Sequence, residues 1–263
     1  MDILMQIATE KRREIRLKKK RVSEKELSQH ALFSEPTRSL KQSLLNRNFG
    51  IIAEHKRRSP SKSVINQKLA LPDVIGGYEQ GGAAGISVLT DGMYFGGSIE
   101  DLLLARGCTD LPLLRKEFIV DVYQIYEARA YGADAILLIA ALLHRDEVAL
   151  FTELAHQLNL EVLLEVHDAH ELEQSLVPGL DLIGVNNRNL KTFEVSLETS
   201  KALAPLIPKD ALKISESGLA TFRELQSLKA LGYDGFLMGE AFMKENQPGR
   251  ALETLLNACG NEA

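Results

Sequence analysis

Gly50-Ile51-Ile52-Ala53-Glu54-His55-Lys56-Arg57-Arg58 begins as an apolar run and ends in charge. A short apolar run bounded by polar residues reads as a buried strand. The strand that opens a doubly wound nucleotide-binding sheet leads into a glycine-rich turn, where the backbone can approach a phosphate. This one leads into Glu54-His55-Lys56-Arg57-Arg58, with no glycine. Seven further runs follow, at 85–90, 112–116, 135–140, 162–166, 182–186, 212–216 and 235–239, their starts about 20 to 35 residues apart. That spacing holds a strand, a helix and two turns, and amphipathic stretches such as 148–158 and 222–231 lie in between. Strands alternating with helices predict parallel βαβ units. Eight such units predict a closed (β/α)8 TIM barrel over residues 49–263. A doubly wound sheet is the alternative, and the missing glycine turn and the strand count stand against it.

The chain has 263 residues, enough for one such barrel, and its 25% charged and 45% hydrophobic residues are those of a globular protein. Two cysteines, Cys108 and Cys259, stand far apart and make neither a disulfide framework nor a CxxC metal pair, so a cytoplasmic location is expected. The longest apolar run, residues 135–143, is too short to span a bilayer, and the N-terminus lacks a secretory pattern. Net charge is −5, which argues against nucleic acid as a partner. The charge is uneven. Residues 1–48 hold 12 Lys+Arg against 6 Asp+Glu, and the rest is strongly acidic. These first 48 residues do not follow the repeat. They predict an N-terminal helical extension with a break near Ser34-Glu35-Pro36-Thr37, placed to cap the barrel's bottom or to reach over its top. The basic block Glu10–Arg21 has no aromatic residue for stacking bases or anchoring in lipid. It reads as a solvated helix face with pairs such as Glu14 and Lys18 at i, i+4.

The carboxyl ends of barrel strands form the active-site face. The runs deliver Glu54 and Lys56, Lys116 and Glu117, Glu165, then Asn186, Asn187 and Arg188, then Glu216, Ser217 and Gly218, and finally Gly239 and Glu240. Charge inside an apolar run is costly unless it is paired or used. One such residue reads equally well as an ion pair; four at the same end of their strands point to a site. The glycine turns after the seventh and eighth runs have the N–H groups to hold a phosphate, with Arg58, Ser59 and Ser61 as further donors, or as plain loop residues. His55 alternates to the outside of its strand. His167 and His170 form an HxxH with no third ligand at a useful spacing, so they read as an exposed helix start and no metal is expected.

The segments Ile52-Ala53-Glu54-His55-Lys56-Arg57-Arg58-Ser59-Pro60-Ser61-Lys62, Tyr94-Phe95-Gly96-Gly97-Ser98, Leu114-Arg115-Lys116-Glu117-Phe118, Ile183-Gly184-Val185-Asn186-Asn187-Arg188-Asn189-Leu190 and Ser215-Glu216-Ser217-Gly218 together resemble the indole-3-glycerol-phosphate synthase family. The likeness spans nearly the whole chain, helical extension included. It implies ring closure, decarboxylation and dehydration of 1-(2-carboxyphenylamino)-1-deoxyribulose 5-phosphate, a step of tryptophan biosynthesis, with no cofactor and with a monomer acting on this small phosphosugar-anthranilate substrate. By the same resemblance Lys116 is the general acid, Glu165 the general base, and Lys56 the holder of the substrate carboxylate. Glu54, Asn186 and Glu216 surround the ribulose chain. Ser59, Arg188, Ser217, Gly218, Gly239 and Glu240 meet the phosphate, and Phe95, Phe118 and Leu190 wall the anthranilate ring. Glu117 stands where many members have Asp, and Glu240 where some have Ser, which puts the Glu240 side chain in doubt as a phosphate ligand. Lys56 is expected to lower the pKa of Lys116, against Glu54 and Glu216. Two other readings stay open. A phosphosugar isomerase on the same scaffold would typically use a Cys/Asp pair, and no cysteine stands at a strand end. A non-catalytic phosphate- or RNA-binding barrel would show no turnover and salt-sensitive binding.

Overall fold

The computed structural model describes residues 3–60, 62–190 and 192–260. Eight parallel strands close into one barrel in sequence order. They are β1 (Gly50–His55), β2 (Gly85–Leu89), β3 (Leu113–Lys116), β4 (Ala135–Ile139), β5 (Glu161–Val166), β6 (Leu182–Asn186), β7 (Leu212–Glu216) and β8 (Gly235–Met238). β1 pairs with β8, Ile52 opposite Leu237, which completes the ring. The expected runs and the strands agree to within a residue or so at each end. β3 starts after Pro112, which has no N–H to give to a ladder.

Alternation along each strand divides the core in two. Ile51, Ala53, Ile86, Val88, Leu164 and Val185 face outward and join the helices in one buried cluster. Ile52, Leu114, Leu163 and Ile214 face inward, in a second cluster that fills the barrel. The outer helices present matching faces. Phe222–Lys229 begins with a capping box, Thr221 to Glu224, and buries Leu225 and Leu228.

Among the described residues three α-helices precede β1: α1 (Ile3–Lys18), α2 (Glu24–Leu27) and α3 (Leu40–Leu45). The segment does both things open to it. α3 plugs the barrel's bottom with Leu40 and Leu44, each almost fully buried. The strands beside it start with glycine for that reason. A Cβ on Gly50 or Gly235 would meet Leu44 at 2.7 or 2.8 Å, and one on Gly85 would meet Leu40 at 2.5 Å. α1 lies across the opposite end, where Leu4 and Ile7 join the inner cluster beside Phe118, Leu137 and Ile139. Between them the chain turns through Ala31–Ser34 and passes Pro36 in extended form. Arg129 holds it by donating to the carbonyls of Leu32 and Glu35, and Asp134 by accepting the Arg38 N–H at 2.8 Å.

Most of the basic block is the expected solvated face, with Arg12, Arg13, Arg16, Lys20 and Arg21 exposed. Glu14 and Lys18 do pair, at 3.2 Å. Lys11, however, is buried and meets Glu14, Asp91 and Glu117 at 2.9, 3.0 and 3.2 Å. Lys18 reaches Glu127 and Lys19 reaches Asp121. Lys11, Lys18 and Lys19 are thus paired with acids of the barrel beneath them, a pairing between distant segments that local helix periodicity does not display.

Candidate active site

Inward alternation carries β1, β3, β5 and β7 from an apolar layer to a charged one within two residues. Ile52, Leu114, Leu163 and Ile214 fill the barrel; Glu54, Lys116, Glu165 and Glu216 stand two positions further along the same strands. Barrel interiors are normally closed by branched apolar side chains at such positions. Here three carboxylates and an amine line the floor of a cleft roofed by α1.

Lys116 Nζ donates to Glu165 Oε2 at 2.9 Å and to Glu216 Oε2 at 2.5 Å. Lys56 Nζ meets Glu54 Oε1 at 2.6 Å. Two glycines on the even strands make room for these acids. A Cβ on Gly184 of β6 would collide with Glu216 Oε1, and one on Gly239, just past β8, would sit 2.8 Å from the Glu54 Cβ. Gly184 is a part of the site that sequence reading overlooks, because the residue it makes room for lies on a different strand.

The electrostatics follow from burial and partners. Desolvation alone would depress the Lys116 ammonium, but Glu165, Glu216 and Glu54 outweigh it and raise its pKa. The expected lowering by Lys56 is not found, since Lys56 is already engaged by Glu54. Burial pushes Glu165 up, and it is more than offset by Lys116, by His167 and by hydrogen bonds from Lys116 and Asn186, so its pKa ends well below the usual carboxylate range. Glu216 goes the other way. Burial and the neighbouring acids Glu165 and Glu54 raise it despite Lys116, and its Oε1 has no hydrogen-bond partner. One buried cation therefore faces two carboxylates, and the resulting proton belongs to the group rather than to one residue.

The residues named by the resemblance all line this one cleft: the five charged residues above with Asn186, then Phe95, Phe118 and Leu190, and Ser59, Arg188, Ser217, Gly218, Gly239 and Glu240 at the other end. Phe95 and Phe118 stand with ring centroids 5.8 Å apart. Ser217 and Gly218 both have positive φ, 68° and 75°, so the chain after β7 makes a tight left-handed turn. Asn187 pins it from behind, donating to the carbonyls of Glu216 and Ser217 at 3.0 and 3.1 Å. After β8 the short helix Glu240–Met243 starts at Gly239, the arrangement in which barrels of this kind bind phosphate. The Glu240 carboxylate is drawn to Lys62 at 3.1 Å and to Arg188 at 3.8 Å.

Several residues fall elsewhere. Arg58 is turned from the cleft and donates to the carbonyls of Gly92 and Met93, and Arg57 is paired with Asp101. Neither arginine is a solvated loop residue; both fasten the loop that carries Phe95. Ser61 lies outside the described residues. His55 packs on the outer side of β1, where burial depresses its pKa to about 4. His170 is exposed, but His167 is not the expected exposed helix start. It is largely buried, with Nε2 3.5 Å from Glu165. Among the described residues no group of three His, Cys, Asp or Glu is placed to hold a metal ion. Ile3, Leu4, Ile7, Pro60 and Phe193 also line the cleft. The α1 residues among them are hidden in the sequence, because their spacing of three and four residues shows only a buried face and not what it covers.

A sequence model of the family described as indole-3-glycerol phosphate synthase matches residues 4–255. The chain is 45% identical to the indole-3-glycerol phosphate synthase of Bacteroides thetaiotaomicron, over 98% of each chain. It is 44% identical to that of Variovorax paradoxus, over 97% of this chain and 98% of the other. Among solved structures it is similar to a thiamine phosphate pyrophosphorylase from Pyrococcus furiosus, with a TM-score of 0.61, 17% identity, and 85% and 98% of the two chains covered. A tryptophan synthase alpha-subunit mutant from the same organism gives a TM-score of 0.61 at 15% identity, over 79% of this chain and 98% of the other. At such identities these two likenesses speak for the barrel fold alone. No helix among the described residues is long and apolar enough to cross a membrane.

Proposed function

This chain belongs to the indole-3-glycerol phosphate synthase family, and we propose that its cleft converts 1-(2-carboxyphenylamino)-1-deoxyribulose 5-phosphate to indole-3-glycerol phosphate, CO2 and water. The observation that carries this reading is the buried Lys116 held between Glu165 and Glu216 at the strand ends, with aromatic walls on one side and phosphate-type turns on the other. Lys56 takes the substrate carboxylate, and Phe95, Phe118 and Leu190 pack the ring. Backbone N–H groups of Gly218, Gly239 and Glu240, with Ser59, Ser217 and Arg188, hold the phosphate. Glu54 and Asn186 orient the ribulose hydroxyls.

Ring closure turns the ketone oxygen into an alkoxide. That oxygen is more basic than an amine, so Lys116 delivers its proton even with a raised pKa. The condensed intermediate carries an iminium that accepts the electron pair left by CO2. Dehydration then needs a base for a C–H proton and an acid for the departing hydroxyl. Lys116 is the chief group holding Glu165 acidic. Once the lysine has given up its charge, Glu165 becomes the stronger base that takes the C–H proton, and it passes that proton to Lys116, the acid that expels the hydroxyl. Glu216 supports the lysine from the other side.

We take the protein to be a monomer in which residues 1–48 complete a site carried by the barrel of residues 49–263. We take its setting to be the cytoplasm and its partner to be this small substrate rather than a nucleic acid or membrane. The protein contains no Trp, so its own long-wavelength emission is weak. Mixing it with the carboxyphenylamino deoxyribulose phosphate is expected to produce indole fluorescence. Folded protein that yields none disproves the assignment.

A further inference from the structure

His167 is a buried titratable group that the chemistry above leaves unused. It follows β5 directly, and its side chain is 10% exposed. Its Nδ1 lies 3.0 Å from Glu171 Oε2, which also accepts the His167 backbone N–H at 2.8 Å. That carboxylate, on the helix Ala169–Ser175, fixes the ring's position from the outside. The other nitrogen, Nε2, has no hydrogen-bond partner and points to Glu165, 3.5 Å from Oε1. Glu165 Oε2 in turn receives Lys116. A line of proton-carrying groups therefore runs from Glu171 through His167 and Glu165 to Lys116. Its outer end opens on a second cleft, lined by Asp168, Asn187 and Arg188 among others, beside the first.

The reaction, if it is the one proposed above, leaves this line short of a proton. Two protons go to the oxygen that departs as water, one forming the hydroxyl and one expelling it. Only one returns, from the carbon that Glu165 deprotonates. The balance is set by charge: an aryl carboxylate anion leaves as neutral CO2, so each turnover consumes one proton. Glu165 can hand its own proton back to Lys116 across 2.9 Å. The second must come from elsewhere while substrate or product fills the cleft under α1.

We propose that His167 stores this proton as an imidazolium and passes it from Nε2 to the Glu165 carboxylate, which passes a proton to the neutral Lys116 amine. The N–H bond of the ring breaks, an O–H bond forms and breaks on Glu165, and an N–H bond forms on Lys116. His167 regains a proton from solvent when product release reopens the cleft. The ring is suited to start each cycle charged. Burial would lower its pKa, but Glu171, Glu165 and Glu216 together raise it. The groups facing it are those three acids from the helix, β5 and β7, with Lys116 behind Glu165 and Arg188 across the side cleft. His167 acts through Glu165, so it is a positioning and proton-storing residue and touches no reacting atom.

The test compares the parent with His167→Gln, measuring kcat across pH on the carboxyphenylamino deoxyribulose phosphate. The parent kcat is expected to fall as pH rises through the titration of the ring. The variant should lose about tenfold or more in kcat with little change in KM, and its profile should lack that limb. Added imidazole buffer should restore part of the lost rate. An unchanged kcat, an unmoved limb, or a loss that imidazole does not rescue each overturns the proposal. If His167→Gln does not fold, Glu171→Gln serves: removing that carboxylate lowers the ring's pKa, so the limb must move to lower pH, and a limb that stays overturns the idea. Failure of the reaction itself is distinguishable, because it appears as a parent protein with no indole emission.

Discussion

Lys116 touches two buried carboxylates, and its charge alone would be enough to attract an anionic substrate. Proton donation is a separate claim, and arginine separates the two. A guanidinium keeps the charge but does not release a proton near neutral pH. Lys116→Arg is expected to lower kcat by about 10²–10⁴ with substrate still bound, nearly as far as Lys116→Met. A kcat within about tenfold of the parent, or less than ~1.4 kcal/mol of barrier, ends the general-acid assignment. Gly218 gives a second test at this scale. With φ at 75° and Val195 packed where a Cβ would go, Gly218→Ala strains the turn after β7. KM should rise roughly tenfold, ~1.4 kcal/mol, with kcat little changed. An unaltered KM removes this turn from the phosphate site. Most of this site is legible in the sequence, because strand alternation alone puts Glu54, Lys116, Glu165 and Glu216 on the inner face. His167 is not. Its approach to Glu165 depends on how the chain turns after β5 and on Glu171, four residues along, holding the ring inward.

Helix α1 shows how an element far from the strands shapes the cleft. Lys11 is buried against Asp91 and Glu117, and both acids organise the aromatic walls. Asp91 accepts the N–H groups of Tyr94 and Phe95, while Glu117 accepts that of Phe118. Burial alone would lower the Lys11 pKa, but Glu117, Asp91 and Glu14 raise it above its ordinary value. A lysine raised on folding contributes stability that is fully present below its unfolded pKa, about 10.4. It is lost only as pH rises through the higher folded value, so the latch holds throughout the neutral range. Lys11→Met leaves the buried Asp91 without its cation and Glu117 with only Arg115, 3.7 Å away. It is expected to cost about 3–5 kcal/mol in thermal or denaturant unfolding at neutral pH. KM should rise as well, because Phe95 and Phe118 lose their anchor. A variant as stable as the parent would show that the contact contributes nothing. The eight strands are legible because each is a local apolar run with a turn on either side. The latch is not, since local periodicity assigns the whole basic block to solvent, and only the acidic loops over β2 and β3 reveal its burial.

At the scale of the whole molecule the first 48 residues serve both ends of the barrel, so removing them all mixes two effects. Leu40 and Leu44 of α3 close the bottom against Gly50, Gly85 and Gly235. Ile3, Leu4 and Ile7 of α1 line the cleft at the top. Two truncations separate the roles. Deleting residues 1–22 removes α1 and its ion pairs but keeps the plug. The inner cluster would lose Leu4 and Ile7, while Ile52, Leu114, Leu163 and Ile214 stay packed on α3. That protein should unfold cooperatively at a lowered temperature and keep its helical and strand content by circular dichroism. Its turnover should be strongly impaired, with water admitted to the Lys116–Glu165–Glu216 group and the aromatic walls unlatched. Deleting residues 1–48 also uncovers the strand-initial glycines, which have no side chains of their own to close the gap. Exposing a barrel core at one end in this way should give a protein that loses cooperative unfolding or aggregates. If the shorter deletion turns over substrate like the parent, α1 has no part in the site. If the longer one melts as cooperatively as the shorter, α3 is not the plug its packing indicates.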